Sequence, residues 1–219
     1  MGIIVPILLL IASYLLGSIP TALIVGKVFK GIDIREYGSK NMGTTNTLRV
    51  LGAKYSIFVF IGDALKASII VFLFSSGLLN YEANWMIIKI HPLIYGIVAI
   101  IGHAFPIFAG FKGGKGVACC AGIAIVYCPL IFLIAISAFS ITLLISKYVS
   151  LSSIIGVGIA FICSWFSILR FETGGIDWWF VSLVFTIWIF IIISHRKNIV
   201  KIFKGTESKI NFKKNKKAE

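Results

Sequence analysis

The chain has 219 residues, room for one domain, and is 58% hydrophobic with a mean hydropathy of +0.99. A soluble domain is nearer half apolar, and one this short still exposes much surface to water, so the composition excludes an ordinary soluble protein and points to lipid as the solvent. The net charge is +13 although only 13% of residues are charged, so the basic residues are clustered; with no long soluble basic face, a nucleic-acid partner is excluded.

Residues 3–25 form the first apolar stretch and are long enough to cross a bilayer. No basic segment precedes them and no small-residue cleavage site follows, so they read as a retained helix. Gly17-Ser-Ile-Pro20 is a helix-end or kink signal. The polar stretch 33–49 comes next, dense in hydroxyls, amides and glycines: Ser39, Asn41, Gly43, Thr44, Thr45 and Asn46, with Arg35, Lys40 and Arg49 as cations. A polyol phosphate needs that mixture, charge for the phosphate and neutral donors for the alcohols.

Residues 55–79 are a second span, with Asp63 and Lys66 inside it. Charges in lipid are costly and pair, so these two are either a structural ion pair or the wall of a site. Residues 85–108 are a third span, with Lys89 and His91 near its start and His103 near its end. Each of these two histidines reads as a core or interface residue. Lys112-Gly-Gly-Lys-Gly116 stands between apolar runs. Glycines let backbone N–H groups converge on an anion, lysine supplies full charge, and the helix from Val117 turns its positive end to the same place. The stretch reads as a phosphate cradle, without the spacing of a Walker A loop.

Residues 117–169 are an almost unbroken apolar block of 53, and 178–194 form the last span, with Trp178 and Trp179 as interfacial anchors. The four cysteines, Cys119, Cys120, Cys128 and Cys163, lie in apolar stretches and read as packing, with no disulfide framework or metal site. The third polar segment runs from His195 to Glu207; His195 and Asn198, three apart, would share a helix face, and Ile199, Ile202 and Phe203 would rest on the bilayer. Residues 209–219 read as a basic cytoplasmic tail.

Charge sets the topology. Seventeen of the 21 basic residues fall in three segments, 27–54, 112–115 and 196–217. By the positive-inside rule all three face the cytoplasm, which requires an odd number of crossings between 116 and 170. One helix cannot absorb 53 residues, so three are expected, with a turn near Lys147 and Ser150. The expected fold is all-α: a polytopic integral membrane protein of seven transmembrane helices, N-terminus outside and C-terminus cytoplasmic, forming a single domain over 1–219.

Absences narrow the chemistry. There is no HEXXH, no GxSxG and no carboxylate cluster for metal. Acyltransferases that use soluble donors typically carry a His followed five positions on by Asp; here His91, His103 and His195 are followed by Gly96, Phe108 and Val200. An organic-phosphate transporter would also suit basic loops and intramembrane charge, but it calls for midplane groups and an internal repeat, and no repeat is present.

Taken together, the three segments resemble the PlsY family of bacterial acyl-phosphate:glycerol-3-phosphate acyltransferases. The resemblance rests on Gly17-Ser-Ile-Pro20, Asp33-Ile-Arg35 and Gly38-Ser-Lys-Asn-Met-Gly-Thr-Thr-Asn46 through Arg49; on Gly102-His-Ala-Phe-Pro106 and Phe111-Lys-Gly-Gly-Lys-Gly116; and on His195-Arg-Lys-Asn-Ile199 with Gly205-Thr-Glu207. Lys40 and Thr44 stand where family members often have Gly and Ala, variations expected to be tolerated.

The resemblance implies transfer of a fatty acyl chain from acyl phosphate to the 1-hydroxyl of glycerol 3-phosphate. The products would be lysophosphatidic acid and phosphate, in the first step of phospholipid synthesis. It implies catalytic roles for Ser39, Arg49, Lys115, His195 and Asn198 and phosphate holding by Gly113, Gly114 and Gly116; Asn41, Thr45, Asn46, His103 and Lys112 are added as substrate- or phosphate-binding candidates. Glu207 matches a glutamate with a structural role; Asp63 and Lys66 are placed with it as structural. No cofactor is implied. The implied partners are the two phosphorylated substrates, the bilayer and the peripheral enzyme that makes acyl phosphate. The chain is read as a monomer in the bacterial plasma membrane, its active site on the cytoplasmic face.

Overall fold

The computed structural model describes residues 2–80, 87–170 and 175–210, and its regular structure among these is entirely helical. In chain order the α-helices are α1 (Ile4–Gly17), α2 (Thr21–Lys30), α3 (Thr44–Leu51), α4 (Ala53–Ser75), α5 (Pro92–Ala104), α6 (Val117–Tyr127), α7 (Pro129–Ser146), α8 (Val149–Cys163), α9 (Trp178–Ser194) and α10 (Arg196–Phe203). Short 3₁₀ turns lie at Ile34–Glu36, Ile107–Ala109 and Ser167–Arg170.

Local chemistry sets the ends. The expected break at 18–20 divides α1 from α2, with Pro20 as the residue before Thr21. α5 starts at Pro92, where a missing N–H costs nothing, and the His91 side chain accepts from the Leu93 N–H at 3.3 Å. Asp177 caps α9 by accepting the Phe180 N–H at 3.0 Å. The apolar block 117–169 contains the three helices α6, α7 and α8. They part at Cys128, just ahead of Pro129, and at Lys147, whose φ of 62° is left-handed.

Four stretches are long and apolar enough to cross a membrane: Ile4–Lys30, Ala53–Ser75, Pro92–Ala109 and Pro129–Ser146. Counting α9 and α10, which meet at a 57° bend, as one span gives five. α6 and α8 are apolar but have only 11 and 15 residues. The part of the expected third span at 85–86 lies outside the described residues.

The chain forms two compact units, Met1–Pro129 and Leu130–Glu219. In the first, α1 and α5 meet through glycine: a side chain at Gly17 would strike the Ala99 backbone, and one at Gly102 the Tyr14 carbonyl. Small residues let helix backbones touch, the usual way of packing helices in lipid, where no hydrophobic force draws them together. The Tyr14 hydroxyl donates to the Phe105 carbonyl at 2.9 Å, tying α1 to the chain just past α5. Below these, Tyr95 stacks on Phe74 at 5.2 Å.

In the second unit, Trp188 of α9 lies against Gly158 of α8, donates its indole N–H to the Ile154 carbonyl at 3.0 Å and stacks on Phe161. On α7, Ser137, Ser140 and Thr142 return their hydroxyls to carbonyls four residues back, which satisfies them in an apolar setting. Large apolar side chains on α7 stay exposed, Leu144 at 67% and Ile145 at 79%, as a lipid-facing surface requires.

Candidate functional site

In the first unit, the polar stretch 33–49 is built by its own side chains. Asp33 accepts the Arg35 backbone N–H at 2.9 Å and pairs with its guanidinium at 2.6 Å. The Arg35 hydrogen bonds hold the Asp33 carboxyl down at about 2, against the smaller opposing effect of its partial burial. Arg35 Nη1 also donates to the Ala109 carbonyl at 3.1 Å, which fastens this stretch to the second polar segment. Ile34, Met42 and Ala109 share a buried apolar cluster with α2 and α4, so both segments sit at one end of the first unit.

Asn46, expected to bind substrate, is buried and its amide is spent within the loop. Its Oδ1 accepts the Ser39 N–H at 2.8 Å, and its Nδ2 donates to the Ile34 and Tyr37 carbonyls, each at 3.1 Å. It therefore holds the turn that carries Ser39, which is exposed. Asn41 and Thr45 are half-buried beside it, and Arg49 is exposed in the last turn of α3. Lys40 sits at φ 58°, a left-handed conformation that glycine adopts without strain. Thr44 Oγ1 is buried without a hydrogen-bond partner.

The glycine-rich segment folds back on the end of α5. Gly110 and Phe111 are both left-handed and reverse the chain. The Gly114 N–H donates to the His103 carbonyl at 3.0 Å. A side chain at Gly113 would meet the carbonyl oxygens of His103 and Ala104; one at Gly114 would meet the His103 ring. Gly116, at φ 86°, starts α6, so the first N–H groups of that helix face the loop. Lys112 is exposed and Lys115 half-buried on either side of the two glycines. Close-packed glycines, a helix start and two lysines make a structure suited to a phosphate group.

Beneath the loop lies a buried ionic chain. His103 Nδ1 is 3.5 Å from Asp63 Oδ1, and the same oxygen is 2.8 Å from Lys66 Nζ. Lys66 Nζ donates to the Ile19 carbonyl, 2.6 Å away, in the break between α1 and α2. Asp63 and Lys66 are thus an ion pair, the first of the two readings the sequence left open, and His103 joins them.

In the second unit, His195 is not on a helix face shared with Asn198. It occupies the corner between α9 and α10, where its N–H closes α9 and its carbonyl accepts the Asn198 and Ile199 N–H groups at 2.8 and 2.9 Å. Its ring is buried with Nδ1 2.8 Å from the Ile191 carbonyl. A carbonyl can only accept, so Nδ1 carries a proton. Asn198 Nδ2 donates to Glu207 Oε1 at 2.7 Å, and Ser150 Oγ donates to the same oxygen at 3.0 Å. The sequence placed Ser150 only as a turn marker; it is half of the seat of Glu207. Residues 205–210 turn back after α10, with the Thr206 N–H on the Lys201 carbonyl and the Ile210 N–H on the Lys147 carbonyl. The start of the expected tail is therefore anchored, with Lys209 over the Tyr148 ring; 211–219 lie outside the described residues.

Residues 7–205 match the family profile of glycerol-3-phosphate acyltransferases, a range that takes in all three polar segments up to Gly205. The chain is similar to proteins named glycerol-3-phosphate acyltransferase from Listeria monocytogenes, at 45% identity over 94% of this chain and 97% of the relative. It is likewise 43% identical to the one from Bacillus subtilis over the same shares. Among solved structures it resembles PlsY, described as an integral membrane glycerol 3-phosphate acyltransferase, in its glycerol 3-phosphate form. That likeness has a TM-score of 0.79 at 32% identity, over 94% of this chain and 95% of the other. The lysophosphatidic acid form of the same protein gives a TM-score of 0.76.

Proposed function

Because the chain belongs to the glycerol-3-phosphate acyltransferase family, we propose that it moves a fatty acyl group from acyl phosphate to the 1-hydroxyl of glycerol 3-phosphate. The observation that carries this reading is a family match covering nearly the whole chain, with its glycine-rich loop shaped as an anion seat. The two similar PlsY structures, in glycerol 3-phosphate and lysophosphatidic acid forms, support the substrate and the product.

The reaction needs little covalent help from the protein. Acyl phosphate is a mixed anhydride with a good leaving group. The glycerol hydroxyl oxygen attacks the acyl carbon, an ester C–O bond forms, the bond from carbon to the phosphate oxygen breaks, and inorganic phosphate leaves. The main obstacle is bringing two anions together. Arg49, Lys112 and Lys115 offset their repulsion, and the amides of Gly113 and Gly116 hold phosphate oxygens, while Gly114, whose N–H is spent on the His103 carbonyl, shapes the loop. Ser39, on the turn fixed by Asn46, orients the hydroxyl or carbonyl, with Asn41 and Thr45 beside it. Among the described residues no base is hydrogen-bonded to the Ser39 hydroxyl, which favours direct transfer without an acyl-serine. The hydroxyl proton goes to a phosphate oxygen of the donor or to a histidine base, a role the resemblance of the third segment assigns to His195, with Asn198 assigned on the same ground.

We read the chain as a single catalytic domain, a view supported by one family match running across both compact units. Seven crossings follow if short α6 and α8 cross beside the five candidate spans, in a locally thinned bilayer. The N-terminus would then lie outside, with the basic segments at the cytoplasmic face of the bacterial plasma membrane. A monomer supplied by a peripheral acyl-phosphate-forming enzyme fits this arrangement.

The test is purified protein in detergent with acyl phosphate and glycerol 3-phosphate. Equal release of phosphate and lysophosphatidic acid is expected, with activity reduced at least about a hundredfold in Arg49→Ala. Product from acyl-CoA but none from acyl phosphate would overturn the choice of donor.

A further inference from the structure

Three ionisable side chains are buried where lipid-embedded helices ordinarily carry none: Asp63 at 1%, His103 at 5% and Lys66 at 8% exposure. Stability does not call for them, because apolar residues of matching volume hold helices together about as well as a buried ion pair. What such a network supplies is orientation.

Its geometry runs from one end of the first unit's machinery to the other. Lys66 is anchored on the Ile19 carbonyl and holds Asp63; Asp63 faces Nδ1 of His103. That leaves the Nε2 edge of the ring against Gly114, whose N–H is bonded to the carbonyl of the same histidine. Gly114 is thus fixed from two sides by one residue, and the ring of that residue is held by the Asp63 carboxylate on α4 together with a hydrogen bond to the Cys119 side chain on α6. A shift of the ring moves the Gly114 backbone and the amides and lysine next to it.

We infer that Asp63 is a positioning residue: acting through His103, it fixes the Gly113–Lys115 backbone that receives the phosphate group of one substrate. The inference rests on the acyltransferase reading above. A phosphate on glycerol and a phosphate on an acyl chain offer that backbone the same oxygens, so the kinetics must tell them apart.

The experiment uses the full-length purified protein. Asp63→Asn is combined with Lys66→Met, so that no ammonium is left buried without a counter-charge. Glycerol 3-phosphate and acyl phosphate are varied in turn, and inhibition by inorganic phosphate is measured alongside. The expected result is a KM for one of the two substrates raised by about tenfold or more, with kcat within about threefold of the unmodified protein. Inhibition by phosphate should weaken to match. In a His103→Ala background the same pair of substitutions should change that KM by less than about twofold, because the route through the ring is already gone. If the double variant does not purify, Asp63→Glu keeps the charge but displaces the ring, and should show the same split. Unaltered KM values for both substrates in an active variant overturn the inference. So does a KM rise of equal size with and without His103. An unmodified protein that makes no lysophosphatidic acid defeats the acyltransferase reading itself, and this inference with it.

Discussion

The glycine-rich loop of the first unit and the C-terminal segment of the second both place polar residues at a helix end, yet they are fixed by different means. The loop is shaped by backbone. Gly113 and Gly114 lie so close to the end of α5 that any side chain would collide, and the bond from Gly114 to His103 is main chain to main chain. The C-terminal segment is shaped by a side-chain latch, one Glu207 oxygen accepting from both Asn198 and Ser150. A backbone seat tolerates no added atom, whereas a latch tolerates any residue that preserves the acceptor. The contrast suits the proposed roles: amides aimed at phosphate must not drift, while a segment held by hydrogen bonds needs only to be kept in place.

The largest effect is expected at the loop. Gly113→Ala puts a methyl group onto the carbonyl oxygens of His103 and Ala104, which are backbone and cannot step aside. Acyl transfer should fall by at least about a hundredfold, and removing the His103 ring should restore none of it. Gly114→Ala meets the ring first, so the same His103→Ala change should recover part of its activity. Steady-state rates of the four variants decide the matter: an active Gly113→Ala would show that close backbone approach does not shape this loop.

A smaller effect is expected at the latch, in stability first. Glu207→Ala removes the shared acceptor of two hydrogen bonds in a buried setting and should cost about 2–3 kcal/mol. Glu207→Gln retains a carbonyl oxygen for both donors and should cost about 1 kcal/mol or less, as should Ser150→Ala. Thermal unfolding in detergent would rank them. If Gln proved as harmful as Ala, negative charge and not the acceptor geometry would be what the segment requires.

How far the sequence spoke depended on distance along the chain. Local signals were legible: Gly17–Pro20 marked a helix break, Lys147 lay in a turn, and the i, i+3 spacing of Asp63 and Lys66 left an ion pair as one of two readings. Partners far apart were not legible. Nothing in apolar periodicity says that His103 meets a carboxylate 40 positions earlier, or that Ser150 meets Glu207. Periodicity encodes which face of a helix is apolar, not which helix covers it. Polar residues misled in a related way. Asn46 lies among plausible substrate ligands, but its amide satisfies backbone groups that the tight loop would otherwise strand, a demand visible only in the folded chain. His195 falls on a helical spacing with Asn198, yet the bend between α9 and α10 puts it at the corner.

The smallest effects concern Lys40 and Thr44, the two positions that the resemblance set against Gly and Ala. From sequence, Lys40 and Thr44 look neutral, since neither removes a functional group. The structure attaches a cost to each. Lys40 sits at φ 58°, where a side chain strains the backbone by about 1 kcal/mol and glycine does not. Glycine also loosens the unfolded chain, which cancels part of that gain, so Lys40→Gly should stabilise by only about 0.5 kcal/mol. Thr44 buries a hydroxyl that bonds to nothing, and Thr44→Ala should gain about 1 kcal/mol by removing it. Both changes lie in the stretch that carries Ser39 and Arg49, so the paired variant separates stability from chemistry. A higher unfolding temperature with unchanged KM is expected. A raised KM for glycerol 3-phosphate would instead mean that the Lys40 charge or the Thr44 hydroxyl acts on substrate, and that the strain is retained for function.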